Sequence, residues 1–190
     1  DLAGRPNSAM LEAAARVRLL IIPVMNPDGR ARVKPAAMIG CTLGELRYWG
    51  QGTWLDGSPC CWPDCKKVHP IREAVAFLGG YFNDDGVNLM HDQFFHPMAR
   101  ETAALLELAE EEFVDCALQL HGGSNSVNDL LVTSYVPLET SEAIRQLAVR
   151  CDAAARKEGL YFTIRDLPGR ESGSTPPSFN LASALHHVCG

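Results

Sequence analysis

A nearly continuous run of β-prone apolar residues, Val17-Arg18-Leu19-Leu20-Ile21-Ile22-Pro23-Val24-Met25, is closed at once by the turn signal Asn26-Pro27-Asp28-Gly29. A strand that is apolar at successive positions hides both of its faces, and a sheet covered by helices on either side provides that environment. A second such run, residues 114–120, ends at His121, with Gly122 and Gly123 directly behind it. These two runs dictate the architecture that the rest of the chain has to complete.

The remaining segments fit around them. Residues 8–16 have helical composition, with Ser8 in N-cap position. Residues 30–69 show no sustained period, and a long excursion of this kind inside a domain usually serves function. Residues 70–77 read as a short helix with proline in its first turn. The loop Asn83-Asp84-Asp85-Gly86 and the short segment Val87-Asn88-Leu89 follow. Residues 98–112 are helical, 130–135 a strand, 141–157 an amphipathic helix, 161–164 a strand and 178–188 again helical. Alternating strands and helices predict an α/β fold, with a mostly parallel or mixed twisted sheet and helices on both faces. Ligands of such sheets sit at the carboxyl ends of strands. Both the Asn26–Gly29 turn and His121 fall at such ends.

The length of 190 residues, with 46% hydrophobic and 21% charged, is expected of one domain spanning 1–190. A chain that starts at Asp1 and stops at Gly190 just after an amphipathic stretch reads as a fragment. The net charge of −6, with Lys and Arg scattered, offers no basic stripe, so nucleic acid is not an expected partner. No apolar run approaches the roughly 20 residues needed to cross a bilayer, and no leader pattern is visible, so no membrane is expected and a cytoplasmic location is predicted. Seven cysteines are read as reduced thiols.

His121, at a strand terminus beside two glycines, has the exposure that a metal ligand or a general base requires; a lone histidine more often merely caps a strand. Three segments in order change that balance. Residues 21–29, Asp85-Gly86-Val87-Asn88-Leu89 and Leu118-Gln119-Leu120-His121 together resemble the zinc metallocarboxypeptidase family, and residues 180–190 resemble the helix preceding that family's catalytic-glutamate strand. The resemblance runs over nearly the whole chain. It implies Zn2+ as cofactor, His121 as the third zinc ligand, and a peptide or small amide as substrate. Two further ligands, a His-x-x-Glu pair, are implied before Asp1, and the general-base glutamate after Gly190.

The substrate side departs from the family. The Asn-Arg pair that grips a terminal carboxylate there falls on Met90 and His91 here. An arginine fork is permanently charged, whereas an unperturbed histidine, with a pKa of about 6.5, is mostly neutral at pH 7. A modified specificity pocket follows, for a peptide or an amide without a free terminal carboxylate. Another family arginine corresponds to Arg47, or to Gly50 when the segments are aligned on Trp49. The family's substrate-capping tyrosine has no counterpart between Asp166 and Gly190.

Other candidates carry less. Cys61, Cys65 and His69, in a loop with Cys60, have spacings a metal could use, yet a structural zinc normally takes four ligands and Cys-x-x-Cys is missing. A loop packed near the cleft, with Trp54 and Trp62 as wall, is the expected role; an exposed disulfide is the other. Glu107, Glu110, Glu111 and Glu112 read as a solvated helix face, His186 and His187 as helix-end or core positions, and Lys66 and Lys67 as a surface pair.

Two further functions compete. His121-Gly122-Gly123-Ser124 also resembles the oxyanion-hole loop of α/β-hydrolase esterases, but no Gly-x-Ser-x-Gly elbow follows it. Loss of the Asn-Arg pair would equally suit a carboxypeptidase-like domain that binds without catalysing.

Overall fold

A computed structural model describes residues 8–61, 64–94, 98–120, 129–133, 135–166 and 179–189. The chain is mixed α/β: six α-helices and four short strands are present among these residues. The helices are α1 (Ser8–Ala14), α2 (Pro27–Arg32), α3 (Leu43–Gln51), α4 (Arg100–Glu112), α5 (Leu138–Lys157) and α6 (Leu181–Cys189). The strands are β1 (Gly52–Trp54), β2 (Val75–Leu78), β3 (Asp129–Val132) and β4 (Thr163–Asp166). No helix among the described residues is long and apolar enough to cross a membrane.

The strands form two separate pairs. β1 and β2 run antiparallel, Gly52 opposite Leu78 and Thr53 opposite Phe77, with a bulge between Thr53 and Trp54. β3 and β4 run parallel, from Asp129 opposite Thr163 to Val132 opposite Asp166. A parallel pair needs a long crossover, and the 20-residue α5 supplies it. This β3–α5–β4 unit matches the expected alternation in order and type, with boundaries displaced by up to three residues.

Two clusters form the principal core. Ile71, Leu78 and Phe82 enclose Cys60 and Cys65, with Trp54 packed against them. Leu106 and Ala109 of α4 meet Leu181, Ala184 and Leu185 of α6 in the second. α4 forms because its Ala, Leu and Glu residues favour helix and its buried positions Thr102, Leu106 and Ala109 recur at helical spacing. Glu107, Glu110 and Glu111 are exposed, as expected of a solvated face.

Four expectations are corrected. Residues 17–25 form no strand: they are irregular with bends, make no backbone–backbone hydrogen bonds among the described residues past Val17, and leave Val17 and Ile21 63% and 65% exposed. Residues 114–120 form no strand either: past Val114, whose N–H donates to the Ala109 carbonyl, they make no backbone–backbone hydrogen bonds among the described residues, and Leu118 and Leu120 are exposed. β composition supplies side chains, but a strand exists only when a neighbour takes its N–H and C=O groups. The excursion 30–69 contains α3, begun by a reciprocal capping box between Thr42 and Glu45. Residues 70–77 are not a helix: after a 3-10 turn at Arg72–Ala74, β2 pairs with β1. Short β-branched and aromatic segments of this kind take their conformation from a partner strand.

Candidate functional site

The site is built on α2. Asn26 caps it, its Oδ1 accepting from the Gly29 N–H at 2.9 Å while its Nδ2 donates to the Gly80 carbonyl at 3.2 Å. Pro27 occupies the first turn, where a missing N–H costs nothing. Gly29 is buried against Gly80: a Cβ there would lie 2.1 Å from the Gly80 oxygen, so only glycine lets the two backbones meet. Asp28 accepts from the Asp84 N–H at 2.9 Å. Arg32 donates through Nη1 to the carbonyls of Gly79 and Phe82, at 3.0 and 2.9 Å, and pairs through Nη2 with Asp84. The Asn26-Pro27-Asp28-Gly29 turn thus fastens residues 79–84.

The loop that follows is equally fixed. Asn83 is buried; its Oδ1 accepts from the Val87 N–H at 2.9 Å and its Nδ2 lies 3.3 Å from a Glu101 carboxylate oxygen. Gly86 turns at φ +81°, with the Arg72 N–H only 2.4 Å from where a Cβ would stand. Asn88 caps the 3-10 turn Leu89–His91 by accepting from the Met90 N–H at 3.1 Å. The Asp92 side chain is fully buried and accepts from the N–H groups of Gln93 at 2.7 Å and Ala99 at 2.9 Å. His69 brings Nε2 to 3.5 Å from Asp92 Oδ1, an ion pair when the imidazole is protonated.

His69, Asn88 and His91 line a cavity of about 20 Å³ together with Cys65, Lys66, Val68 and Phe82. That is room for about one water molecule. Burial lowers the Lys66 ammonium pKa, with the Cys65 thiol acting in the opposite sense. Lys66 is half-buried here, not one of a surface pair; Lys67 is exposed and pairs with Asp64 at 2.7 Å. Chemically, this corner offers the His69 imidazole next to a desolvated carboxylate, with the His91 imidazole lining the same cavity as His69.

Of the predicted site residues, the structure brings His91 to this cavity. Met90, its neighbour, packs into the α4–α6 cluster instead. Arg47 is exposed on α3 and is not among the residues lining the cavity. His121, with Gly122 and Gly123, lies outside the described residues, as does Trp62.

The cysteine loop packs inward, as expected of a structural element. Burial pushes the Cys60 thiol up to about 12, helped by Cys65 and Cys61 nearby, and burial raises Cys65 as well. A metal thiolate requires the deprotonated form. All seven cysteines are free thiols, and among the described residues no three His, Cys, Asp or Glu side chains converge to hold a metal. His187, on α6, lies 3.0 Å from the Tyr135 carbonyl and stacks on Phe179. Sequence reasoning passed over Arg32, Asn83 and Asp92, whose principal partners carry no local signature.

Comparison of the chain with protein-family models, with curated proteins and with solved structures returns no match.

Proposed function

We propose that this chain belongs to a zinc-dependent hydrolase of peptide or amide bonds, metallocarboxypeptidase-like in framework and altered in specificity. One observation carries the reading. Of the three motif segments whose order suggested it, the first is fastened to the residue that precedes the second: Asp28 receives the Asp84 N–H, and Arg32, three residues past the first segment, pairs with Asp84. Motif matches scattered by chance along a chain have no reason to meet. On this proposal the two strand pairs belong to a twisted, mostly parallel or mixed sheet with helices on both faces. The Arg18 guanidinium lies 2.7 Å from the carboxylate of Glu112 at the end of α4.

The described residues do not by themselves build a zinc site. The proposal therefore assigns His121 as a ligand, with the other donors outside the described set. Zinc in such sites polarises a carbonyl and lowers the pKa of a bound water. The chain's own contribution on the substrate side is His91, anchored through Asn88 and neighbouring the buried Asp92. Met90, partly buried against the α4–α6 cluster, has no donor to offer a carboxylate. This favours substrates whose terminal carboxylate is absent or blocked. The same observation supports a second reading, a carboxypeptidase-like domain that binds such amides without hydrolysing them.

The test is zinc content per chain, by elemental analysis, together with turnover of acyl-amides and of peptides with free and blocked termini, for the gene product carrying this sequence. One zinc, lost on His121→Ala together with hydrolysis, is the expected result. Zinc retained in His121→Ala, or a loaded protein inert toward the whole panel, sinks the hydrolase. Amide binding without zinc and without turnover would establish the second reading.

A further inference from the structure

The loop containing Asp84 has a second side. There a cleft of about 270 Å³ is lined by Arg32 and Arg72 with Val75, Ala76 and Leu78 of β2. Its guanidiniums are held in different ways. Arg32 spends three donors on Gly79, Phe82 and Asp84, and its charge is matched by the Asp84 carboxylate. Arg72 gives one hydrogen bond, from Nη1 to the Asp84 carbonyl at 2.6 Å, which orients it without neutralising it. Among the described residues no carboxylate pairs with Arg72. Its sequence neighbour Glu73 and the loop residue Asp85 are exposed and do not line the cleft.

The balance at the cleft is thus two guanidiniums against one carboxylate, leaving one positive charge. Four of the five N–H groups of the Arg72 fork remain to donate, and a carboxylate can accept two of them side by side. Val75, Ala76 and Leu78 complete the lining, which presents more polar than apolar surface. The volume lies just under the usual range of small-molecule sites, roughly 300–1,000 Å³, which suits a ligand of a few carbons. One net charge matches a monoanion better than a dianion.

We propose that the cleft between Arg32 and Arg72 binds a small monocarboxylate, its oxygens on the Arg72 guanidinium. This site is separate from the proposed zinc chemistry and does not depend on it.

Butyrate is the probe, with butyramide as the neutral compound of the same shape and inorganic phosphate as the dianionic competitor. Each is titrated into the full chain while backbone and arginine Nε–Hε resonances are followed, with EDTA present so that zinc plays no part. Butyrate should shift Arg72 and residues 75–78 saturably, and bind about tenfold or more tighter than butyramide, as a hydrogen-bonded charge requires. Arg72→Gln should abolish that difference, and Arg72→Lys, which keeps the charge but loses the fork, should retain part of it. Equal binding of butyrate and butyramide, shifts unaffected by Arg72→Gln in a protein whose remaining spectrum is unchanged, or phosphate binding tighter than butyrate would each overturn the assignment. If Arg72→Gln disturbs the fold, Arg72→Lys decides: affinity identical to the parent chain refutes the fork.

Discussion

Residues 26–92 and the two apolar segments at 17–25 and 114–120 hold their shapes by opposite means. The first region is polar at its joints. Asn26, Asp28 and Arg32 each satisfy backbone groups far along the chain, Asn83 closes its own loop through the Val87 N–H, and glycines let backbones touch. The second region is the more hydrophobic by sequence, yet it is the more exposed, with Leu120 at 91%. Hydrophobicity is non-directional and rewards any cover, whereas a hydrogen bond demands a partner at one place. The first region consequently has one geometry written into it, and the second has surface awaiting a neighbour.

Substitutions can break this contrast, the largest effect first. Gly29→Ala should cost about 3 kcal/mol or more, because the added methyl meets a backbone carbonyl that cannot rotate away. The urea midpoint, compared at constant m-value, measures it. A near-neutral result would mean that Gly29 and Gly80 are not in contact and that the polar region is looser than described.

Next comes the capping box of α3. Thr42→Ala should lose about 1 kcal/mol at neutral pH. The Glu45 carboxyl is held below its usual range by the Thr42 backbone N–H first and the Thr42 hydroxyl second. A carboxyl with a lowered folded pKa contributes its full stabilisation above the ordinary value and loses it as pH falls through the folded value. Part of the Thr42→Ala penalty should therefore vanish in acid, where Glu45 is protonated in the parent chain too. A penalty independent of pH would detach Glu45 from the cap.

The smallest effect belongs to the apolar segments. Leu118→Lys, at a side chain 74% exposed, should change stability by no more than about 0.5 kcal/mol in either direction. This variant sharpens the contrast most, since a loss of about 2 kcal/mol or more would place residue 118 in a covered sheet. Such a result would favour the complete twisted sheet over two separate strand pairs.

What the sequence made legible follows the same division. α4 could be read because its buried positions Thr102, Leu106 and Ala109 repeat every three or four residues, α5 and α6 from their helical composition, and the β3–α5–β4 crossover because its alternation is local. The loop at 83–86 could be read as a turn from its residue types, whereas Asn26-Pro27-Asp28-Gly29, expected to be a turn, is the capped start of α2. α3 could have been found from Thr42-x-x-Glu45, although its apolar spacing is irregular and a stacked Tyr48–Phe77 pair anchors it from β2. β2 was hidden because Pro70 mimics a helix start and the strand's reason for existing is β1. At the site, His91 was visible by its position after Val87-Asn88-Leu89. Arg32 was not, since its acceptors lie 47 to 52 positions away. Asp92 was not, because its fixed partner Ala99 and its neighbour His69 share no motif with it.

The thiols carry a consequence of their own. Cys116 and Cys151 are exposed, whereas Cys60 is completely enclosed and its proton is held at any ordinary pH. An alkylating reagent meets only thiolate that it can reach. The chain is thereby fitted with an internal chronometer: its outer sulfurs are consumed at the pace of the reagent, and Cys60 at the pace at which the polar region itself comes apart.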